Sequence, residues 1–72
     1  MAAHHLYPVA GGATATYYVI ENYVYDMSSG KALFYIRDGK LYSHRDGHAA
    51  FRIDDGFLYD YDTDLPMFYF SE

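Results

Sequence analysis

Apolar and polar residues alternate along this chain in short runs, and each run is broken by a cluster of Asp, Gly, Ser or Asn. Alternation of period two predicts strands with one buried face, and no stretch carries the 3.6-residue period of a helix. The runs also repeat. FYIRDGKLYSHRDGHAA covers 34–50, FRIDDGFLYDYDTDLPM covers 51–67, and a third copy starts with Phe68-Tyr69-Phe70 before the chain stops at Glu72. Upstream, YVIENYVYDMSSGKAL over 18–33 matches with one residue deleted. The unit is a 17-residue β-hairpin cassette, and such self-similarity is the mark of a repeat architecture.

Each copy carries its own turn chemistry. Asp38-Gly39 and Asp55-Gly56 sit between alternating apolar residues. They predict two-residue type I′ turns, because both central positions need positive φ. Ile36 then faces Leu41, Phe34 faces Ser43, Ile53 faces Leu58 and Phe51 faces Asp60. The first copy lacks the Gly, so a three-residue turn Glu21-Asn22-Tyr23, with Asn22 or Tyr23 at positive φ, is expected to set Ile20 opposite Val24. Between hairpins, Ser28-Ser29-Gly30 and Arg45-Asp46-Gly47 read as three-residue turns closed by a bulge at the Gly. Asp62-Thr63-Asp64 has the same length without the Gly. These links put Val24 opposite Phe34, Leu41 opposite Phe51 and Leu58 opposite Phe68.

Alternation then assigns one face, the core, to Tyr18, Ile20, Val24, Phe34, Ile36, Leu41, Ala49, Phe51, Ile53, Leu58, Phe68 and Phe70. The opposite face takes Val19, Tyr25, Leu33, Tyr35, Arg37, Lys40, Tyr42, Arg52, Phe57, Tyr59, Met67 and Tyr69. Each cassette advances the register by two residues over two strands, about 6.6 Å along against about 9.6 Å across. That is a tilt of roughly 35°, near the range of closed barrels. Leu6-Tyr7 resembles the second half of a cassette and Phe68-Tyr69-Phe70 is a first half, so their pairing would complete a fourth unit. The expected fold is all-β: an antiparallel meander of about seven to eight short strands, closed as a small barrel or left as a strongly twisted open sheet. It forms one domain over 1–72, with an N-terminal arm at 1–15, repeats at 18–33, 34–50 and 51–67, and a half-repeat at 68–72.

Composition narrows what such a sheet can do. A 72-residue chain hides only about 60% of its unfolded surface, and with no Cys it has neither disulfides nor a thiolate metal site. Ten Tyr and five Phe without a Trp suit pleated, half-buried surfaces. A net charge of −5 argues against nucleic acid, which needs clustered Lys and Arg. The charge is uneven: all five basic residues fall in 31–52 with only Asp38 and Asp46 beside them, while 54–72 holds six acids and no base. Such asymmetry steers a partner or favours head-to-tail self-association. No signal-peptide pattern or membrane-length apolar run occurs, so a soluble, cytoplasmic protein without membrane contact is expected.

Three features invite a chemical reading. Asp60, Asp62 and Asp64 resemble the opening of an EF-hand calcium loop, but Leu65 replaces the turn Gly and Glu72 comes one residue late. His44 and His48 flank the Arg45-Asp46-Gly47 turn and are expected to face each other as a chelating pair, with His4 or His5 as further ligands. Exposed turn residues are the simpler reading of both groups. No nucleophile, base and acid occur together in a motif, and Gly11-Gly12 precedes no helix that would bind phosphate. Neither an enzyme nor a resident cofactor is expected.

The third feature is the second sheet face, where Tyr25, Tyr35, Tyr42, Tyr59 and Tyr69 recur with the repeat among Arg37, Lys40 and Arg52. Tyr brings large contact area with a polar tip, as interfaces require. The expectation is a non-catalytic module that engages a protein partner or a second copy through these eight residues. Carbohydrate stacking on the same rings is one alternative, and a metal-linked module the other. The short aromatic units are similar in style to the hairpin repeats of bacterial choline- and glucan-binding modules, but the tryptophans of those repeats are missing and no function carries over.

Overall fold

A computed structural model describes residues 4–71. Eight strands follow one another as β1 (His4–Pro8), β2 (Tyr17–Ile20), β3 (Tyr23–Asp26), β4 (Ala32–Arg37), β5 (Lys40–Ser43), β6 (Ala49–Asp54), β7 (Phe57–Asp60) and β8 (Pro66–Ser71). All neighbours are antiparallel, and β8 pairs with β1, so the meander closes into a barrel. Closure removes both sheet edges, which would otherwise offer unpaired backbone groups to another strand. Glu72, the late position of the calcium-loop comparison, lies outside the described residues.

The terminal strands form the fourth hairpin without a covalent turn. Leu6 pairs with Phe70 and Tyr7 with Tyr69, as Leu41 pairs with Ile36 and Tyr42 with Tyr35. Backbone bonds repeat the same rule. Ile36 N donates to Asn22 O at 2.7 Å, Ile53 N to Gly39 O at 2.8 Å and Phe70 N to Gly56 O at 2.9 Å.

The first copy departs from the sequence expectation. Val19, not Ile20, faces Val24, and Ile20 faces Tyr23. Its turn is therefore the two-residue Glu21-Asn22, with Glu21 at φ 56° where Asp38 and Asp55 take 53° and 52°. The positive φ falls on Glu21 and not, as expected, on Asn22 or Tyr23, whereas Gly39 and Gly56 hold positive φ at the second sister position. No residue is deleted: the repeat runs in phase from Tyr17, and Tyr18 and Ile20 lie outside while Tyr17 and Val19 point inward. Ile20 is 45% exposed and Val19 only 4%. The Gly-less turn disguised this register, because an apolar Ile beside it looked like core.

The links between hairpins are also longer than the spacing predicts. Asp26 N donates to Lys31 O, Ser43 N to His48 O and Asp60 N to Leu65 O, each at 2.9 Å. Four residues, not three, thus separate the paired ends. Asp26 Oδ2 accepts from Ser29 N, Ser43 Oγ from Arg45 N, and Asp60 Oδ1 from both Asp62 N and Thr63 N, the usual side-chain support of a tight turn. The extra residue is absorbed by a register shift opposite Leu33, Ala50 and Met67. The expected pairs Val24–Phe34, Leu41–Phe51 and Leu58–Phe68 therefore survive. Ala49, expected in the core, instead pairs with Tyr42 on the outer face.

The interior is three tiers of four side chains. Leu6, Val24, Leu41 and Leu58, one from each odd strand, form the middle tier and are 0–1% exposed. The even strands supply Tyr17, Phe34, Phe51 and Phe68 on one side of it and Val19, Ile36, Ile53 and Phe70 on the other. The four rings close on themselves edge to face, with centroids 5.8, 5.7, 5.7 and 5.3 Å apart around the circle. Edge-to-face contact sets the positive ring edge against the negative face of its neighbour. Eight strands leave an interior just wide enough for such filling, and among the described residues no cavity opens into it.

Candidate functional site

With the interior filled, any function belongs to the outer wall. Closure into a ring splits that wall into four sectors, one per hairpin, each built on a cross-strand pair. Tyr18 stacks on Tyr25 at 5.2 Å, Tyr35 on Tyr42 at 5.4 Å, and Tyr69 on Tyr7 at 5.7 Å across the seam between the chain ends. In the remaining hairpin Arg52 takes the place of the first Tyr, and its guanidinium carbon lies 4.4 Å from the Tyr59 ring centroid. Such cross-strand pairs stabilise a sheet modestly and fix the orientation of the rings.

The eight expected contact residues therefore do not form one face. Tyr25 belongs to the β2–β3 sector and Tyr69 to the β8–β1 sector. Tyr35, Arg37, Lys40, Tyr42, Arg52 and Tyr59 remain together across β4–β7. Within that group Arg37 pairs directly with Lys40, and Lys40 directly with Arg52. Three cations thus stand in one register row. Like charges directly opposite in a ladder are destabilising.

Arg52 is the most constrained of the three. Its Nε and one terminal nitrogen donate to Asp64 Oδ1 at 2.9 and 2.6 Å, and the other terminal nitrogen to Asp54 Oδ2 at 3.4 Å. Hydrogen bonding to Asp64, ahead of the charges of the two carboxylates, pushes its pKa above the ordinary arginine value. Asp64 sits at φ 63°, where the two sister loops carry Gly30 and Gly47. A left-handed non-Gly residue is strained, and here the strained residue is the one that holds Arg52 against Tyr59. The carboxylates are mostly exposed, so the pairs orient more than they stabilise.

The metal candidates separate. His48 is aligned with Ser43, not His44, because the link has four residues. The His44 ring turns to the aromatic wall instead, stacked on Tyr23 at 5.8 Å and edge-on to Tyr35 at 5.4 Å. His4 and His5 lie in β1, four strands from β5 in either direction round the barrel. Asp60 is engaged by the amides of Thr63 and Asp62, which lower its pKa, and Asp64 is engaged by Arg52. Among the described residues no group of three His, Asp or Glu is placed to hold a metal ion.

Sequence reasoning missed Tyr7, Tyr18, Tyr23 and the aromatic role of His44. Aligning the first copy without a deletion finds Tyr18 and Tyr23. That alignment places Tyr18 with Tyr35, Arg52 and Tyr69, and Tyr23 with Lys40 and Phe57. Tyr7 stands one residue off the 17-residue phase and joins Tyr25, Tyr42 and Tyr59 only through its pairing with Tyr69. The His44 contact needs the four-residue link, which residue spacing did not reveal. No protein-family model, curated protein or solved structure matches the chain. Among the described residues no helix is long and apolar enough to cross a membrane.

Proposed function

We propose that this protein is a non-catalytic interaction module whose working surface is the β4–β7 sector, with Tyr35, Arg37, Lys40, Tyr42, Arg52 and Tyr59 as contact residues. The observation that carries this reading is the cation row Arg37–Lys40–Arg52. Arg52 is met within the fold by Asp64 and Asp54, but folding gains nothing from Arg37 and Lys40 set opposite each other beside it, whereas an anionic or aromatic partner does. The stacked Tyr35 and Tyr42 rings on one side and the Tyr59 ring under Arg52 on the other add rigid area with little side-chain entropy left to lose. A filled interior supports a surface role rather than chemistry in a pocket.

The test uses the opposition between stability and binding. Arg37→Ser with Lys40→Ser removes repulsion, so the doubly substituted protein should be as stable as the wild type or more so, by roughly 0.2–1 kcal/mol. In proximity cross-linking from its host cells it should lose the partners that the wild type retains. Loss of stability together with unchanged cross-linked partners would contradict the proposal on both counts.

A further inference from the structure

The sector on the far side of the barrel differs in character. Across β7, β8, β1 and the residue after β1 the outer wall presents Phe57, Met67, Tyr69, Tyr7 and Val9, none of which carries a charge, with Tyr59 under Arg52 at its border. Phe57 pairs with Tyr69, Tyr69 with Tyr7, and Val9 N donates to Met67 O at 2.9 Å, so these residues are contiguous. Five of the nine exposed large apolar residues among those described lie here or beside it: Val9, Phe57, Leu65, Met67 and Tyr69. Contiguous exposed apolar surface of this kind marks an interaction site.

Its surroundings are acidic. The segment 54–64 contributes five Asp and no base, grouped about the two ends of β7, and among the described residues only Arg52, shared by Asp54 and Asp64, meets them. Setting aside Arg52, the segment 31–51 contributes four bases against two acids. It carries Arg37 and Lys40 beside Tyr35 and Tyr42, with Tyr23 adjacent through its pairing with Tyr35. The two sectors centre on β8 and β4, four strands apart in either direction round the ring.

We infer that the occupant of the β7–β8–β1 apolar sector is the β3–β5 sector of a second copy of this chain. A two-fold contact through the apolar sector would set acidic rim against acidic rim. A head-to-tail contact sets that rim against Arg37 and Lys40, and aromatic rings against Phe57, Met67 and Tyr69. Because the two surfaces lie on opposite walls, each bound copy still presents a free surface of each kind, and the assembly grows as an open row. The inference rests on the β4–β7 sector being an interaction surface, and names a partner for its β4–β5 half.

Sedimentation velocity on the full chain tests it with two variants. Arg37→Glu with Lys40→Glu disables the cationic surface; Val9→Asp with Met67→Asp disables the apolar one at exposed positions. Near-UV circular dichroism of the tyrosines confirms that each is folded, and Met67→Lys replaces the second pair if Val9→Asp disturbs β1. The wild type should grow in mass with concentration without reaching a fixed size. Each variant alone should associate at least about tenfold more weakly. Their equimolar mixture should form a dimer and stop, since each supplies the surface the other lacks.

A monomeric wild type at millimolar concentration overturns the inference. So does a closed wild-type dimer whose two variants fail to combine, the signature of a two-fold contact. If the wild type is monomeric yet Arg37→Ser with Lys40→Ser still loses cellular partners, self-association alone has failed and the interaction surface stands.

Discussion

Tyr17 occupies a position that the other three hairpins fill with Phe34, Phe51 and Phe68, in the edge-to-face circle at one end of the core. Burial, then the negative charge of Asp26, raises its pKa above the ordinary 10.0. A raised folded-state pKa means that the contribution to stability is complete below the unfolded value and is lost as pH rises through the folded one. Wild-type stability should therefore fall above about pH 10 partly through Tyr17. Tyr17→Phe should match the wild type at pH 8 within about 1 kcal/mol and retain more stability at pH 11. Urea unfolding at both pH values checks this, and an equal alkaline loss in both proteins would contradict it. Asp60 gives the opposite sign. Its pKa is lowered by backbone donors, so its contribution is present above the ordinary carboxylate range and disappears as pH falls through the folded value. Residues of this kind were only partly legible in the sequence. Tyr17 is hidden as core because the Gly-less first turn lets the first copy align one residue out of phase.

At the scale of the element, the hairpin is where sequence and structure agree best. Asp38-Gly39 and Asp55-Gly56 specify their turns chemically, and the pairs Ile36–Leu41 and Ile53–Leu58 follow. Glu21-Asn22 adopts the same register without that chemistry, with Glu21 held at φ 56°. Tertiary packing of Val19 and Val24 outweighs the poorer turn residues, and a single sequence does not display that balance. Glu21→Asp with Asn22→Gly should install the sister turn and raise stability by about 1 kcal/mol. Chemical denaturation measures it, and a loss of stability would mean that the sister turn does not fit the first hairpin, where Asn22 lacks the positive φ of Gly39 and Gly56. The links were hard to read for another reason. Three residues with a bulge at the Gly, or four with a bulge at Leu33, Ala50 and Met67, give identical core pairs. Only the outer residues tell them apart, and His44 is the one most affected.

On the scale of the whole molecule, the barrel is four equivalent hairpins, three covalent and one assembled from the chain ends. Ser71 and His5 face each other as Arg37 and Lys40 do. Joining Ser71 to His5 through Asp-Gly, with new ends opened between Asp46 and Gly47, should yield a folded permutant within about 1 kcal/mol of the natural order, since loop connections cost little. Cooperative thermal unfolding of the permutant would bear this out; an unstructured product would not. Closure was one of two readings that the sequence allowed, resting on the short match of Leu6-Tyr7 to the cassette. The outer surface was legible in composition but not in layout, because its division into sectors exists only once the ring is closed.

The seam between β1 and β8 is thus the most direct test. Nuclear Overhauser spectroscopy on dilute, monomeric protein should show contacts from Leu6 to Phe70 and from Tyr7 to Tyr69, with equal intensity in uniformly labelled and in mixed-label samples diluted with unlabelled chain after correction for labelling. If those contacts are missing, or arise only between differently labelled chains, the ends do not meet within one molecule and the four-hairpin barrel is wrong.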